Sequence, residues 1–188
     1  MTYQNIEDIY IAIDDTRRRL AARVETLSAA QQTFRLSDGA WSIAELVEHV
    51  SIIEGRMIQL VGMLLKKAES MAAERADAVP PSFQPFSLEE MAKENRDKKF
   101  EAPVEMRPSG TIPLSDSLAK LQDTRAALHD LRPRLEAADL NAVSYPHPVL
   151  GDLNLAQWLA FIGLHEERHL RQIKAVINAP EFAGQAGG

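Results

Sequence analysis

The sequence predicts an all-α protein, a four-helix bundle. Four segments repeat their apolar residues at helical spacing, no stretch reads convincingly as a strand, and the stripes share one core. At 188 residues with 45% hydrophobic composition, the chain suits one domain over residues 1–188 and is short for two.

The first helix is expected from about Asn5 to Leu27, with Ile6, Ile9, Ile13, Leu20, Val24 and Leu27 on one stripe. A loop follows, in which Ser37-Asp38-Gly39 is a turn signal. The second helix opens at Ser42, which with Glu45 forms a capping box, each side chain satisfying a free amide of the first turn. It carries Ile43, Leu46, Val50, Ile53, Met57, Leu60 and Leu64 and reaches the alanines near Ala73. From Ala78 to Pro113 the pattern lapses, and six of the ten prolines fall there. Ser87 and Glu90 make a second box, predicting a short helix from Leu88 to about Lys98. The third helix starts near Ser115 and runs through Leu118, Leu121, Leu128 and Leu131, with Pro133 expected to end or kink it. The fourth starts at Asn154, capped with Gln157, and ends near Asn178 before Pro180.

Composition narrows the function classes. Lysine and arginine total 21 against 27 acids, for a net charge of −6, which argues against a broad nucleic-acid or anionic-membrane surface. There is no cysteine, so disulfides, thiolate metal sites and a cysteine nucleophile are excluded. MTYQNIEDIY lacks the basic and apolar regions of a signal peptide, and no apolar run approaches the ~18 residues of a membrane span. A cytoplasmic protein is expected.

The five histidines carry the chemistry. HEERH places His165 and His169 four apart, one turn above another on a helix face. They interrupt the apolar stripe formed by Trp158, Ile162, Ile173 and Val176, and His49 borders the core stripe of the second helix. One inward histidine is best read as a satisfied core residue; three from two core-facing helices favour a shared metal ion. HEERH also fits the H-E-x-x-H pattern of zinc proteases, but that motif needs a further ligand downstream. Nineteen residues remain after His169; they hold no histidine and a single acid, Glu181, next to a proline, so the protease reading fails. A di-iron bundle needs two Glu-x-x-His motifs, and only Glu166 with His169 supplies one. His129 is expected at the surface and His147 in a proline-flanked turn.

Three stretches carry a family resemblance. WSIAELVEH (Trp41 to His49), HPVLGDLNLAQWL (His147 to Leu159) and HEERHLRQI (His165 to Ile173) together resemble the DinB-like superfamily of damage-inducible and thiol-transferase-related four-helix bundles. The similarity in order and spacing extends over nearly the whole chain. The resemblance implies an up-down-down-up bundle whose long crossover, here residues 78–113, joins the second and third long helices. It implies a divalent metal, zinc or nickel, held by His49, His165 and His169, and homodimers in many members. It further implies chemistry on a low-molecular-weight thiol such as mycothiol or bacillithiol in some of them.

Three neutral imidazoles leave the ion's charge uncompensated and a coordination position open, as in catalytic zinc sites. The expectation is therefore a metal-dependent hydrolase, or an S-transferase using a low-molecular-weight thiol, acting on a small molecule. The competing reading is a non-catalytic, stress-associated metal-binding bundle. Glu45, one turn before His49, and Gln172, three residues after His169, are the candidates for a catalytic or orienting role. For Glu45 the helix cap is the simpler account. Glu166 and Glu167 are expected to point outward, Glu167 the more exposed, and Trp41 and Trp158 to pack. The segment from Ala78 to Pro113 is expected either to shape the entrance to the metal site, with Phe83 and Phe86 anchoring it or lining a pocket, or to be a passive strap packed far from the ion.

Overall fold

Three of the four long helices begin where the sequence offers a side-chain cap. In the computed structural model, which describes residues 1–74, 81–93 and 101–187, α1 spans Ile6–Val24, its first turn capped by the Asn5 side chain on the Asp8 amide. The linker after it holds a short helix, α2 (Ala29–Thr33), where an uninterrupted loop is expected from the sequence. Its signal is Ser28 with Gln31, a capping box in which both reciprocal bonds form. The second long helix, α3 (Ile43–Ala73), starts on the complete Ser42–Glu45 box.

In the crossover, α4 (Leu88–Met91) is shorter than expected. Ser87 caps the Glu90 amide, giving one arm of the expected box. The rest of the expected helix falls largely on residues 94–98, outside the described residues, as do Ala78 and Pro80. A 3-10 turn at Val104–Met106 precedes α5 (Leu114–Ala137). Pro133 does not end α5, which continues four residues beyond it and buries Leu135. The lost ladder bond is outweighed by that burial.

The expectation of no strand is corrected by a hairpin, β1 (Ser144–His147) with β2 (Gly151–Asn154), paired from Ser144↔Asn154 to His147↔Gly151. Pro146 and Pro148 disguised it, since proline inside a run argues against a strand. The turn closes without those amides, because His147 Nδ1 accepts the N–H groups of Val149 and Leu150, and Gly151 takes φ +74°. The hairpin ends on Asn154, whose capping box with Gln157 opens α6 (Leu155–Ile177).

Cross-helix pairs fix the topology. Arg17 meets Glu166 and Arg19 meets Glu167, numbers that rise together, so α1 and α6 run parallel. Thr124 with Glu54 and Arg134 with Glu69 make α3 and α5 parallel in the same way. Tyr10 with Leu128 and Ile13 with Arg125 fall in opposite order, so α1 and α5 are antiparallel. This is the up-down-down-up bundle, and the parallel pair α3 and α5 requires the long crossover.

At Gly163 the helices α1 and α6 approach closely. A Cβ at Gly163 would lie 2.9 Å from Ile13 Cγ2 and 3.5 Å from its Cα. Glycine inside a helix costs ~1 kcal/mol relative to alanine, and close approach is what offsets that here. Gly163→Val is expected to lower the unfolding free energy by about 1–3 kcal/mol in urea titration, through overpacking. An unchanged midpoint would show that the two helices do not bear on each other at this point.

Candidate metal centre

α3 and α6 pack against each other in antiparallel fashion, and their facing stripes bring together the three histidines that the sequence singled out. His49 comes from the second turn of α3, and His165 and His169 from the middle of α6. One ring nitrogen of each lies within 4.8 Å of the others. Ring centroids are 5.3 Å apart for His49–His165, 4.7 Å for His49–His169 and 4.5 Å for His165–His169. The Nε2 atoms of His165 and His169 are 3.2 Å apart.

Neighbours fix the tautomers of two rings. His49 Nδ1 is 2.6 Å from the Met106 carbonyl oxygen, and His169 Nδ1 is 2.7 Å from Gln172 Oε1. Both oxygens can only accept, so each Nδ1 carries the proton and each Nε2 is left with its lone pair. Trp41 packs on the His49 ring at 4.9 Å between centroids. Burial pushes the His49 imidazole below its ordinary value. Burial and then the neighbouring His169 and His49 hold His165 well below the usual range. His169 is pushed down to about 3 by burial and by His49. Three imidazoles held toward the neutral form, two of them with Nε2 left bare, offer the donor chemistry a divalent cation requires.

The remaining candidates sort by position. Gln172 orients His169 from behind, as its spacing suggested. The Glu45 carboxylate accepts the Ser42 amide at 2.7 Å and pairs with Arg35. It lines a cleft of about 250 Å³ with Arg35, Glu48 and Gly110, and none of the three histidines lines that cleft. His129 is at the surface, paired with Asp14, and His147 is the turn residue described above. Trp158 packs, its indole N–H donating to the Tyr145 carbonyl oxygen.

Glu166 overturns the outward expectation: it is fully buried, while Glu167 is partly exposed and paired with Arg19. Glu166 belongs to a quartet with one member from each long helix. Arg17 Nε is 2.7 Å from Glu166 Oε1, Arg125 Nη2 is 3.2 Å from Glu166 Oε2, and Arg17 also pairs with Glu54. Glu54 further accepts from Thr124 Oγ1 at 3.1 Å. Burial pushes the Glu166 carboxyl up in spite of the opposing pull of Arg17. The quartet divides the apolar interior in two: Ile13, Met57, Leu128 and Ile162 lie on one side, and Leu20, Val50, Leu121 and Leu170 on the other. The signal was in the sequence. Arg17, Glu54 and Arg125 each stand four residues after one of these core residues and three before the next, which is core spacing.

The crossover meets the site through its second half. Met106 touches His49, and Arg56 holds the Glu105 carbonyl oxygen at 3.0 Å. Phe83 and Phe86 do not reach it. They stack on each other and Phe86 stacks on Tyr3, with backbone bonds between Tyr3 and Phe86, packed against the part of the core that lacks the histidines. Two phenylalanines in a proline-rich run indicate an anchor but not its location.

A protein of Bacillus subtilis named YuaE and described as uncharacterised is 31% identical over 163 residues, spanning 82% of this chain and 92% of its own. A protein of Oceanobacillus iheyensis, whose name proposes a metal-dependent hydrolase, is 22% identical over 95% of this chain and 88% of its own. Among solved structures, the four-helix bundle protein TT2238 superposes with a TM-score of 0.61 at 22% identity, covering 91% of this chain and 99% of that one. YfiT from Bacillus subtilis, whose description proposes a metal-dependent hydrolase with an unusual four-helix bundle topology, gives 0.62 at 16% identity, covering 94% and 88%. The family model of the DinB superfamily matches residues 12–173, and the chain belongs to that superfamily.

Proposed function

We propose that His49, His165 and His169 hold one divalent metal ion and that the protein is a metal-dependent hydrolase of a small molecule. The observation that carries the reading is the convergence of three neutral imidazoles from two helices, two of them with the proton already parked on Nδ1. An all-imidazole set suits zinc or nickel. Among the described residues no carboxylate or further histidine joins the cluster, and three protein ligands with room for more is the catalytic pattern of zinc sites. Bound there, such an ion would supply Lewis acidity and make a water or a thiol nucleophilic near neutral pH.

The protein's own part is to hold the rings. Met106 and Gln172 keep two Nε2 lone pairs available and prevent those rings from turning. Glu45 has no part in the reaction under this reading. Hydrolysis is favoured over thiol transfer by the names of two relatives, while transfer to a low-molecular-weight thiol rests on the family resemblance. A homodimer completes what that resemblance carries.

Metal analysis of protein purified without a metal-affinity tag is expected to find about one zinc or nickel per chain. A screen of ester, amide and phosphoester substrates, run beside thiol-plus-electrophile pairs, then separates the two activities. Protein that neither carries nor takes up zinc or nickel would overturn the reading. Metal without turnover in either arm would favour a non-catalytic bundle.

A further inference from the structure

We propose that Glu48 is a positioning residue for the metal centre, acting through the crossover; the proposal rests on the metal-binding reading above. Glu48 precedes His49 and is buried, 3% exposed, yet its carboxylate is no part of the histidine cluster. It accepts instead from two consecutive backbone amides of the crossover, Ser109 N at 2.7 Å and Gly110 N at 3.0 Å. Gly110 has φ +72°, the left-handed conformation that allows successive N–H groups to converge on one anion. An anion-binding nest has formed, and an internal carboxylate fills it.

The consequence lies three residues upstream. Held at 109–110, the chain presents the Met106 carbonyl to His49 Nδ1, and Arg56, two turns along α3, holds the neighbouring Glu105 carbonyl. Glu48, His49 and Arg56 thus fasten one stretch of crossover by its main chain, whatever side chains it carries. Among the described residues His49 has no side-chain partner comparable to Gln172 behind His169; its tautomer and ring angle depend on a loop carbonyl. Glu48 fixes the loop, the loop fixes the Met106 carbonyl, and the carbonyl fixes His49.

Glu48→Gln tests this directly. The amide nitrogen cannot accept a hydrogen bond, so one of the two loop amides loses its partner while side-chain volume is kept. Loss of such support behind a ligand weakens metal binding by about 10–100-fold. That result is expected in a zinc titration against a competing chelator, with helical content by circular dichroism unchanged. Gly110→Ala attacks the same contact from the loop side, since its φ is unfavourable for alanine and the new Cβ would stand 3.0 Å from Glu45 Oε1. It is expected to weaken zinc binding similarly, and the double variant no more than the worse single one, because both act through one contact.

A metal-free readout separates this proposal from the reading beneath it. The His49 Nδ1 proton is expected to be observable by NMR in the wild-type apoprotein and to broaden or vanish in both variants. Wild-type protein that binds no zinc, but shows that proton responding to both variants, would end the metal reading and keep the positioning role. Unchanged zinc affinity and an unchanged His49 signal in a folded variant would overturn the proposal. Should Glu48→Gln not fold, Gly110→Ala decides by the same two measurements.

Discussion

Glu166→Ala is expected to destabilise the protein by about 3–5 kcal/mol in denaturant unfolding, because Arg17 and Arg125 must then share Glu54 and one buried positive charge is left uncompensated. Arg17 and Arg125 are only 13% and 9% exposed, and both direct donors at the Glu166 carboxylate. With typical domain stabilities of about 5–15 kcal/mol, such a loss removes about a fifth or more of the margin. Arg125 is already imperfectly served, since its Nε is buried without a hydrogen-bond partner among the described residues. A loss below about 1 kcal/mol would mean that water reaches the cluster and solvates the stranded charge.

The complementary variant moves the other way. Replacing all four members with apolar residues of similar volume is expected to be neutral or stabilising by about 1–4 kcal/mol. The upward push of burial on the Glu166 carboxyl supports this: desolvation outweighs the help its partners give. A cluster whose removal as a whole costs nothing, while removal of one member costs much, specifies helix register rather than stability. Here one charge from each helix matches one layer of the bundle. The layer is adjacent to His165 in α6 and lies a turn beyond His49 in α3, where register decides whether the rings converge.

Apolar spacing set out the four long helices and the lapse between α3 and α5, and three capping residues marked helix starts to within a residue. What escaped shares one cause: signals that contradict the local average. Pro146 and Pro148 hid a hairpin whose turn is closed by a side chain. Ser28 and Gln31 cap a helix of five residues, too short to show a period. Arg17, Glu54, Arg125 and Glu166 do not stand out as core residues because a charge reads as solvent-facing, although their positions continue the stripes. The histidines were found because an imidazole on an apolar face is conspicuous and because their spacing matched a family pattern. Their partner Gln172 could be suspected from its place one turn away. The Met106 carbonyl could not, since no side chain announces a main-chain acceptor delivered by a loop.

The second large effect is the loss of a ligand. Alanine at His49, His165 or His169 is expected to raise the zinc dissociation constant by about a hundred- to a thousandfold each. Structural zinc sites bind with about 10–16 kcal/mol over four ligands, hence about 3–4 kcal/mol per imidazole. Gln172→Ala should fall between those variants and wild type, at about 10–100-fold, because it leaves His169 in place without its proton acceptor. His129→Ala and His147→Ala serve as controls, the first on a surface ion pair and the second in a hairpin turn, and both should bind zinc as wild type does. The ranking can be read from thermal shifts as well, since a ligand that binds only the native state stabilises it by RT ln(1 + [L]/Kd). At metal concentrations that saturate the wild type a hundredfold, about 2.7 kcal/mol of stabilisation should vanish in the three histidine variants and persist in the two controls. Five histidines would then divide three against two, along the line drawn by the α3–α6 face. If His147→Ala proved as damaging as His49→Ala, the ligand set would extend across Phe161 to the hairpin, and the three-histidine assignment would be wrong.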